Sequence, residues 1–401
     1  MKKIMILGGG INQIPLLREA KELGYTVILC DFREEIEGKI FADKHYVVNT
    51  LSYEQVLNVC RQEKPDGIIT NSEPAIPVMT RVANDMGLIS NSVEGIDTLM
   101  SKSKFRTLQE NIGLYSPKHF ETSSISDLFT NLSRLEFPVI IKPCECSGSR
   151  GSEIINEYDK NKIEKVFSNC INYSRNKRVE VEEFVEIQSL TTIEGDVFIC
   201  NDYILWDGLF YTTRASYAPM VPMTYTIPLN LDQNMLEKIK EALTNVFCHT
   251  NIHHGEYNIE GFFNRKGDFF IIEINVRQGG HEIPEFIERA TGINMNRLLV
   301  STSVGDERYL NEIKNTNHKV NYNIKHVVFS DQNGIYDGLS IDERLKGCIT
   351  EIKELKGKGV EIEKCINGSS LVAIVDMEFP DLVRQHEVYD KMENLIKVKL
   401  V

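Results

Sequence analysis

Residues 255–280, GEYNIEGFFNRKGDFFIIEINVRQGG, constrain this chain more than any other segment. Two apolar runs flank Lys266-Gly267, which predicts an antiparallel hairpin. With Lys266-Gly267 as a two-residue loop, Arg265 faces Asp268, and the same register sets Glu260 opposite Glu273. Glu273 and Asn275 are two apart on one strand, so they share a face. Carboxylates directly opposite each other on a sheet repel. A cation between them removes that cost. Two carboxylates and an amide oxygen are hard donors of the kind that suits Mg²⁺ shared with nucleotide phosphates. A one-residue slip would send the acids to opposite faces. The rival picture, a surface hairpin with solvated acids, gives no reason for polar groups in the apolar run 269–275.

The rest of the chain alternates. Residues 3–31 read as strand, glycine turn (Gly8-Gly9-Gly10), helix and strand, with Gly24 closing the helix. Ser52 with Gln55 marks a capping-box helix start, and Pro65-Asp66-Gly67 leads into a strand at 68–70. A helix at about 75–86 and a strand at 87–90 follow. This alternation predicts a parallel, doubly wound sheet. Beyond it come a helix at 101–111 closed by Gly113, strands at 137–142, 179–185, 190–200 and 203–210, and a helix with Leu236, Ile239, Leu243 and Val246 on one face. After the hairpin, a polar linker at 311–322 precedes more strands and a final helix.

Composition excludes some classes. The chain has 401 residues, enough for about two or three domains. A net charge of −13 opposes a nucleic-acid or membrane-surface role, because both need a basic footprint. Nine cysteines without a CxxC pair read as reduced thiols. The short apolar strand before Gly8 lacks a signal peptide's longer run, and no apolar stretch reaches spanning length. The expectation is a cytoplasmic protein.

Several smaller constellations carry chemistry. Lys142 ends an apolar strand just before Ser147-Gly148-Ser149-Arg150-Gly151, a loop whose amides can point at phosphate oxygens. An ordinary hairpin turn is the equal alternative. Lys102 and Lys104 start a helix and, taken alone, read as a solvated lysine face. Glu182, Glu183 and Val185 lie in a strand that alternates acids with apolar residues, either a wet edge or a hinge offering its backbone to an adenine. Arg277 follows Asn275 by two, placed to grip a phosphate or carboxylate in bidentate fashion. His253, His254 and His281 read as plain loop residues. The N-terminal glycines and Asp31 resemble a dinucleotide fingerprint, but Gln13 replaces its third glycine.

Together, FPVIIKP with SGSRGS at 137–152 and the 255–280 segment resemble the ATP-grasp superfamily, in particular its biotin carboxylase-like carboxylate–amine ligases. This group includes relatives of the carbamoyl phosphate synthetase large subunit and of glycinamide ribonucleotide synthetase. The resemblance implies an α/β and α+β fold. A Rossmann-like preATP-grasp domain spans 1–115, a small lobe 116–188, a large lobe with the metal site 189–310, and a C-terminal subdomain 311–401. It implies ATP and Mg²⁺ (or Mn²⁺) as cofactors. Lys102 and Lys142 match the ATP lysines, and Ser147, Gly148, Ser149, Arg150 and Gly151 the loop over the phosphates. Glu182, Glu183 and Val185 match the adenine hinge, and Glu260, Glu273 and Asn275 the metal ligands. Arg277, with Lys142, matches the catalytic groups. One departure stands out: after the hinge, Glu186-Ile187-Gln188-Ser189 lacks the usual glycine and ribose-facing acid, and Glu194 is the substitute. The implied reaction activates a carboxylate as an acyl-phosphate and couples it to an amine. The partners are small molecules, not nucleic acid or membrane, and the resemblance admits a homodimer. Two rival classes stay open: an NAD-dependent oxidoreductase on the N-terminal unit, and a nucleotide-binding module without catalysis.

Overall fold

Four parallel strands open the chain, β1 (Lys3–Leu7), β2 (Thr26–Asp31), β3 (Lys44–Val47) and β4 (Gly67–Ile69), ordered β3-β2-β1-β4. Successive residues of β1 point to opposite faces. Ile4 and Ile6 pack with Leu16, Leu17 and Ala20 of the helix Ile14–Glu22. Met5 and Leu7 pack with Val56, Val59 and Cys60 of the helix Tyr53–Glu63. Helices on both faces explain why these strands are apolar throughout. The computed structural model describes residues 1–145, 150–186 and 191–401. Two local expectations fail. Ser52 is the N-cap but makes no side-chain cap hydrogen bond, and Gln55 Oε1 accepts from the Asn49 amide at 2.8 Å in place of closing the box. Residues 87–90 form turn and bend, not strand.

A second sheet holds β5 (His119–Thr122), β6 (Val139–Pro143), β7 (Glu153–Ile155) and β8 (Val179–Glu183), ordered β5-β8-β6-β7 and antiparallel. Val139, Ile141, Val179 and Val181 bury one face under the helices Ile125–Leu132 and Lys160–Tyr173. The strand period then turns Ile140, Lys142, Glu180 and Glu182 to the other face.

The largest sheet is antiparallel. It contains β9 (Thr191–Cys200), β10 (Tyr203–Leu205), β11 (Leu209–Ala215), β12 (Ala218–Ile227), β13 (His254–Phe263) and β14 (Phe269–Asn275). It continues through β15 (Tyr322–Val328), while β16 (Gly334–Ile341) lies in another sheet. β17 (Ile349–Glu354) returns to it, β18 (Glu361–Ile362) joins β16, β19 (Ala373–Phe379) returns, and β20 (Ile396–Leu400) joins β16. The order is β14-β13-β9-β11-β12-β15-β19-β17, with β10 on β9. The single strand expected at 203–210 is two strands broken by a turn. Gly195 and Gly208 meet there so closely that a Cβ on Gly195 would lie 2.1 Å from the Gly208 oxygen. The expected linker at 311–322 starts inside the helix Arg308–Lys314, and β15 pairs with β12, so the sheet runs on past residue 311. No helix among the described residues is long and apolar enough to cross a membrane.

Two buried histidines make this sheet acid-sensitive. Burial pushes His254 down to about 4 and His326 down to about 3. Both folded values lie below the unfolded one, so their contribution is complete above about pH 6.5 and is lost as pH falls toward them. The raised acids of the same sheet act in the opposite sense, so the test is a difference: the melting-temperature gap between wild type and a His254→Gln, His326→Gln double variant should shrink as pH falls from 6.5 to 4. A constant gap over that window would contradict the assignment of both as buried and neutral.

Candidate active site

The hairpin reaches the expected pairing by a different route. The loop has three residues, not two. Asn264 pairs with Asp268, and Gly267 takes a left-handed φ of 80° behind a turn closed by its amide on the Asn264 carbonyl at 3.0 Å. Asn264 Oδ1 also accepts from the amides of Lys266 (2.8 Å) and Asp268 (3.0 Å). A three-residue loop ending in a left-handed glycine is a standard hairpin solution. Alone it would shift the register by one. A bulge restores it: Gly261 pairs with Ile271, Glu260 pairs with Glu273, and Ile272 is the extra residue.

The result is a row of acids. Glu194 on β9 pairs with Glu260 on β13, which pairs with Glu273 on β14. Glu194 therefore sits beside the candidate metal ligands. Arg214 from β11 donates to Glu194 at 3.0 Å and also to Glu260. Asn275 donates to Glu273 at 3.1 Å, so the two share a face. Lys102 Nζ lies 3.8 Å from Glu273. Burial, helped by the charge of Glu260, pushes Glu194 up to about 7. Burial also raises Glu260, against the pull of Arg214. At Glu273 burial acts upward too, but Lys102, Asn275, Lys142 and Arg277 outweigh it and hold the carboxyl below its usual range. Three carboxylates on adjacent strands with an amide side chain beside them form an all-oxygen donor set, which fits a hard divalent ion.

The lysines are sorted by the helix Lys102–Asn111, whose N-cap Ser101 accepts from the Lys104 amide at 3.4 Å. Lys102 points into the site, whereas Lys104 pairs with exposed Asp97. Lys142 on β6 is buried against Glu182 on β8. Burial lowers Lys142 below the usual lysine value. It would raise Glu182, but Arg106 and Lys142 overcome it and bring that carboxyl down to about 2.

Arg106 escaped the sequence reading. It is 1% exposed. Its guanidinium donates to Glu182 at 2.9 Å, Gln109 at 2.7 Å, the Ile271 carbonyl at 3.2 Å and the Ile272 carbonyl at 2.8 Å. One side chain thus ties the small sheet to the bulge that sets Glu273. The signal was present: Arg106 is four residues after Lys102 and shares its helix face.

These groups surround a cavity of about 610 Å³. Lys102, Lys142, Arg150, Glu182, Val185, Glu194, Glu260, Glu273, Asn275 and Arg277 all line it. The Glu183 side chain turns elsewhere, accepting from the Glu136 amide at 2.9 Å and pairing with Lys118 at 3.3 Å. Gly151 has a left-handed φ of 76° and packs against Tyr173, where a Cβ would come within 2.8 Å. Ser147, Gly148 and Ser149 lie outside the described residues. Arg277 Nη2 lies 3.6 Å from Glu73, a residue of the first 115, which Arg175 also approaches at 3.3 Å. His281, expected to be an ordinary loop residue, lines the same cavity. His254 is instead buried against Thr302 at 3.0 Å.

The dinucleotide alternative finds its acid already engaged. Asp31 accepts from the Gly9 amide at 2.8 Å and three times from Arg33 at 2.9–3.0 Å. The Gln13 side chain covers Gly8, 3.3 Å from where a Cβ would stand.

Residues 135–285 match the family model of the ATP-grasp domain. The chain is 22% identical over 347 residues to the carbamoyl phosphate synthase large chain of Archaeoglobus fulgidus, covering 82% of this chain and 31% of that protein. It therefore spans about a third of that relative's length. The fold is similar to that of L-amino acid ligase from Bacillus licheniformis (TM-score 0.78, 17% identity, covering 100% of this chain and 99% of that one). It is also similar to phosphoribosylglycinamide synthetase from Anaerococcus prevotii (TM-score 0.72, 20% identity, covering 100% of both). The chain carries an ATP-grasp domain over residues 135–285.

Proposed function

We propose that this protein is an ATP-dependent ligase that activates a carboxylate as an acyl-phosphate and couples it to an amine, releasing ADP and phosphate. The observation that carries the reading is the row Glu194–Glu260–Glu273 across three adjacent strands, with Lys102, Lys142 and Arg277 around the same cavity. The names of its similar proteins, a synthase, a synthetase and a ligase, support the class.

Glu260, Glu273 and Asn275 would hold Mg²⁺ (or Mn²⁺), which when bound neutralises charge on the triphosphate. Phosphoryl transfer depends chiefly on positioning and charge neutralisation. Lys102 and Lys142 supply positive charge to the phosphate oxygens. The Glu182 side chain is held by Lys142 and Arg106, so adenine recognition falls to the backbone of the 182–185 hinge. Arg150 lines the cavity and adds positive charge beside the phosphates, and exclusion of water there would protect the acyl-phosphate from hydrolysis. Arg277 orients the carboxylate by a bidentate contact, exchanging its 3.6 Å approach to Glu73 for it. The carboxylate oxygen attacks the γ-phosphorus, ADP leaves, and the amine then displaces phosphate from the acyl carbon. No nucleophilic side chain is required.

A screen of carboxylate and amine pairs for ATP-dependent phosphate release tests the reading. Turnover should require Mg²⁺, and Lys142→Ala should reduce it by at least about a hundredfold, the scale of a lost electrostatic contact in a dry site. Mg²⁺-independent turnover, or full activity in the variant, would contradict it.

A further inference from the structure

We propose that His281 is the base that receives a proton from the attacking amine; the inference rests on the ligase reading above. His281 and Glu282 are consecutive non-glycine residues with left-handed φ values of 54° and 58°. Such a backbone persists only where its surroundings hold it, and it is concentrated at functional sites. Here both flanks are anchored. The Gly279 amide donates to both Asp196 oxygens at 3.0 Å. Glu282 pairs with Lys353 and lies 3.9 Å from Lys325, a fully buried lysine on β15 that is 3.1 Å from Asp376. This clamp aims the imidazole into the cavity that Arg277 also lines.

Tyr225 Oη from β12 lies 3.0 Å from His281 Nδ1. The base is the tautomer in which Nδ1–H donates to Tyr225 Oη, which leaves Nε2 unprotonated for the amine. The charged and titratable groups around the ring are Tyr225, Lys325 and Glu282, with Arg214, Glu194 and Glu260 beyond Tyr225. Burial first, and then Lys325, lower His281 below the usual histidine value, while Glu282 opposes them. A neutral imidazole at neutral pH is the form that accepts a proton.

The step balances. The amine arrives as an ammonium and gives one proton to Nε2. Its nitrogen lone pair forms the C–N bond at the acyl carbon, and the C–O bond to phosphate breaks with its electron pair leaving on oxygen. The second proton leaves with the phosphate as hydrogen phosphate, and the imidazolium returns its proton to solvent.

Hydroxylamine separates this step from activation, because it is already neutral at neutral pH and traps an acyl-phosphate without a base. The probe is the carboxylate mixture of the screen above with ATP and Mg²⁺, with its amines or with hydroxylamine in their place. His281→Asn suits the site because asparagine tolerates left-handed backbone. Hydroxamate formation should stay within about twofold of wild type, while amide product falls about a hundredfold, the middle of the range for general-base catalysis. Tyr225→Phe should lower the amide product less and spare the hydroxamate. Equal losses of both products would reduce His281 to a structural residue, and undiminished amide would overturn the base. Absence of hydroxamate from the wild type would instead overturn the ligase reading on which the inference stands.

Discussion

Glu273→Ala should leave the protein folded and lower ADP release by about three orders of magnitude or more, the scale of a charge that stabilises phosphoryl transfer. Glu273 stands directly opposite Glu260, so its removal relieves a repulsion and leaves Arg214 to neutralise Glu260. Against that relief, Lys102 at 3.8 Å, Asn275, Lys142 and Arg277 hold Glu273 charged, and the variant forfeits their attraction. The melting temperature without ligand should therefore fall only modestly, while the added stabilisation by ADP with Mg²⁺ disappears. Coupled assay of ADP and thermal melts with and without nucleotide read the two effects separately. Loss of activity with an equal nucleotide shift in the melt would mean that Glu273 does not hold the ion.

Arg106→Leu should have the opposite signature, a large loss of stability. Arg106 is the shared donor for Glu182 and for the Ile271 and Ile272 carbonyls, and its guanidinium lies 4.8 Å from the centre of the Phe270 ring. Removing one partner of a buried ion pair typically costs about 3–5 kcal/mol, because the other partner stays buried. Lys142 remains beside Glu182 and sets the loss toward the lower end of that range. Urea unfolding should show it as a lower midpoint with an unchanged slope. Arg106→Lys should recover little, since one ammonium cannot reproduce a planar fork. A loss below about 1 kcal/mol would show that the guanidinium is no anchor for the bulge.

The hairpin shows what was legible in the sequence and what was not. The pairing of Glu260 with Glu273 followed from counting across a turn, yet two unseen features cancelled: a three-residue loop and a compensating bulge at Ile272. Loop length and bulges depend on Asn264 capping the turn and on Arg106 bonding the bulged carbonyls, and Arg106 comes from far along the chain. Lys142 was placed correctly on its strand because a period of two is local. The strand could not announce that Glu182 would be its partner, since that pairing crosses from β6 to β8. His281 looked like a loop residue because left-handed backbone at a non-glycine position carries no sequence mark. Likewise, the resemblance offered Glu194 only as a ribose-facing acid, and its place beside Glu260 emerges when β9 is laid beside β13.

The most direct test is a crystal structure with Mn²⁺ and a non-hydrolysable ATP analogue, read by anomalous scattering. The account predicts a manganese peak touching carboxylate oxygens of Glu260 and Glu273 and the Asn275 amide oxygen, with phosphate oxygens completing its shell. Nucleotide in the cavity with Glu260 and Glu273 turned apart, and no anomalous peak between them, would contradict it.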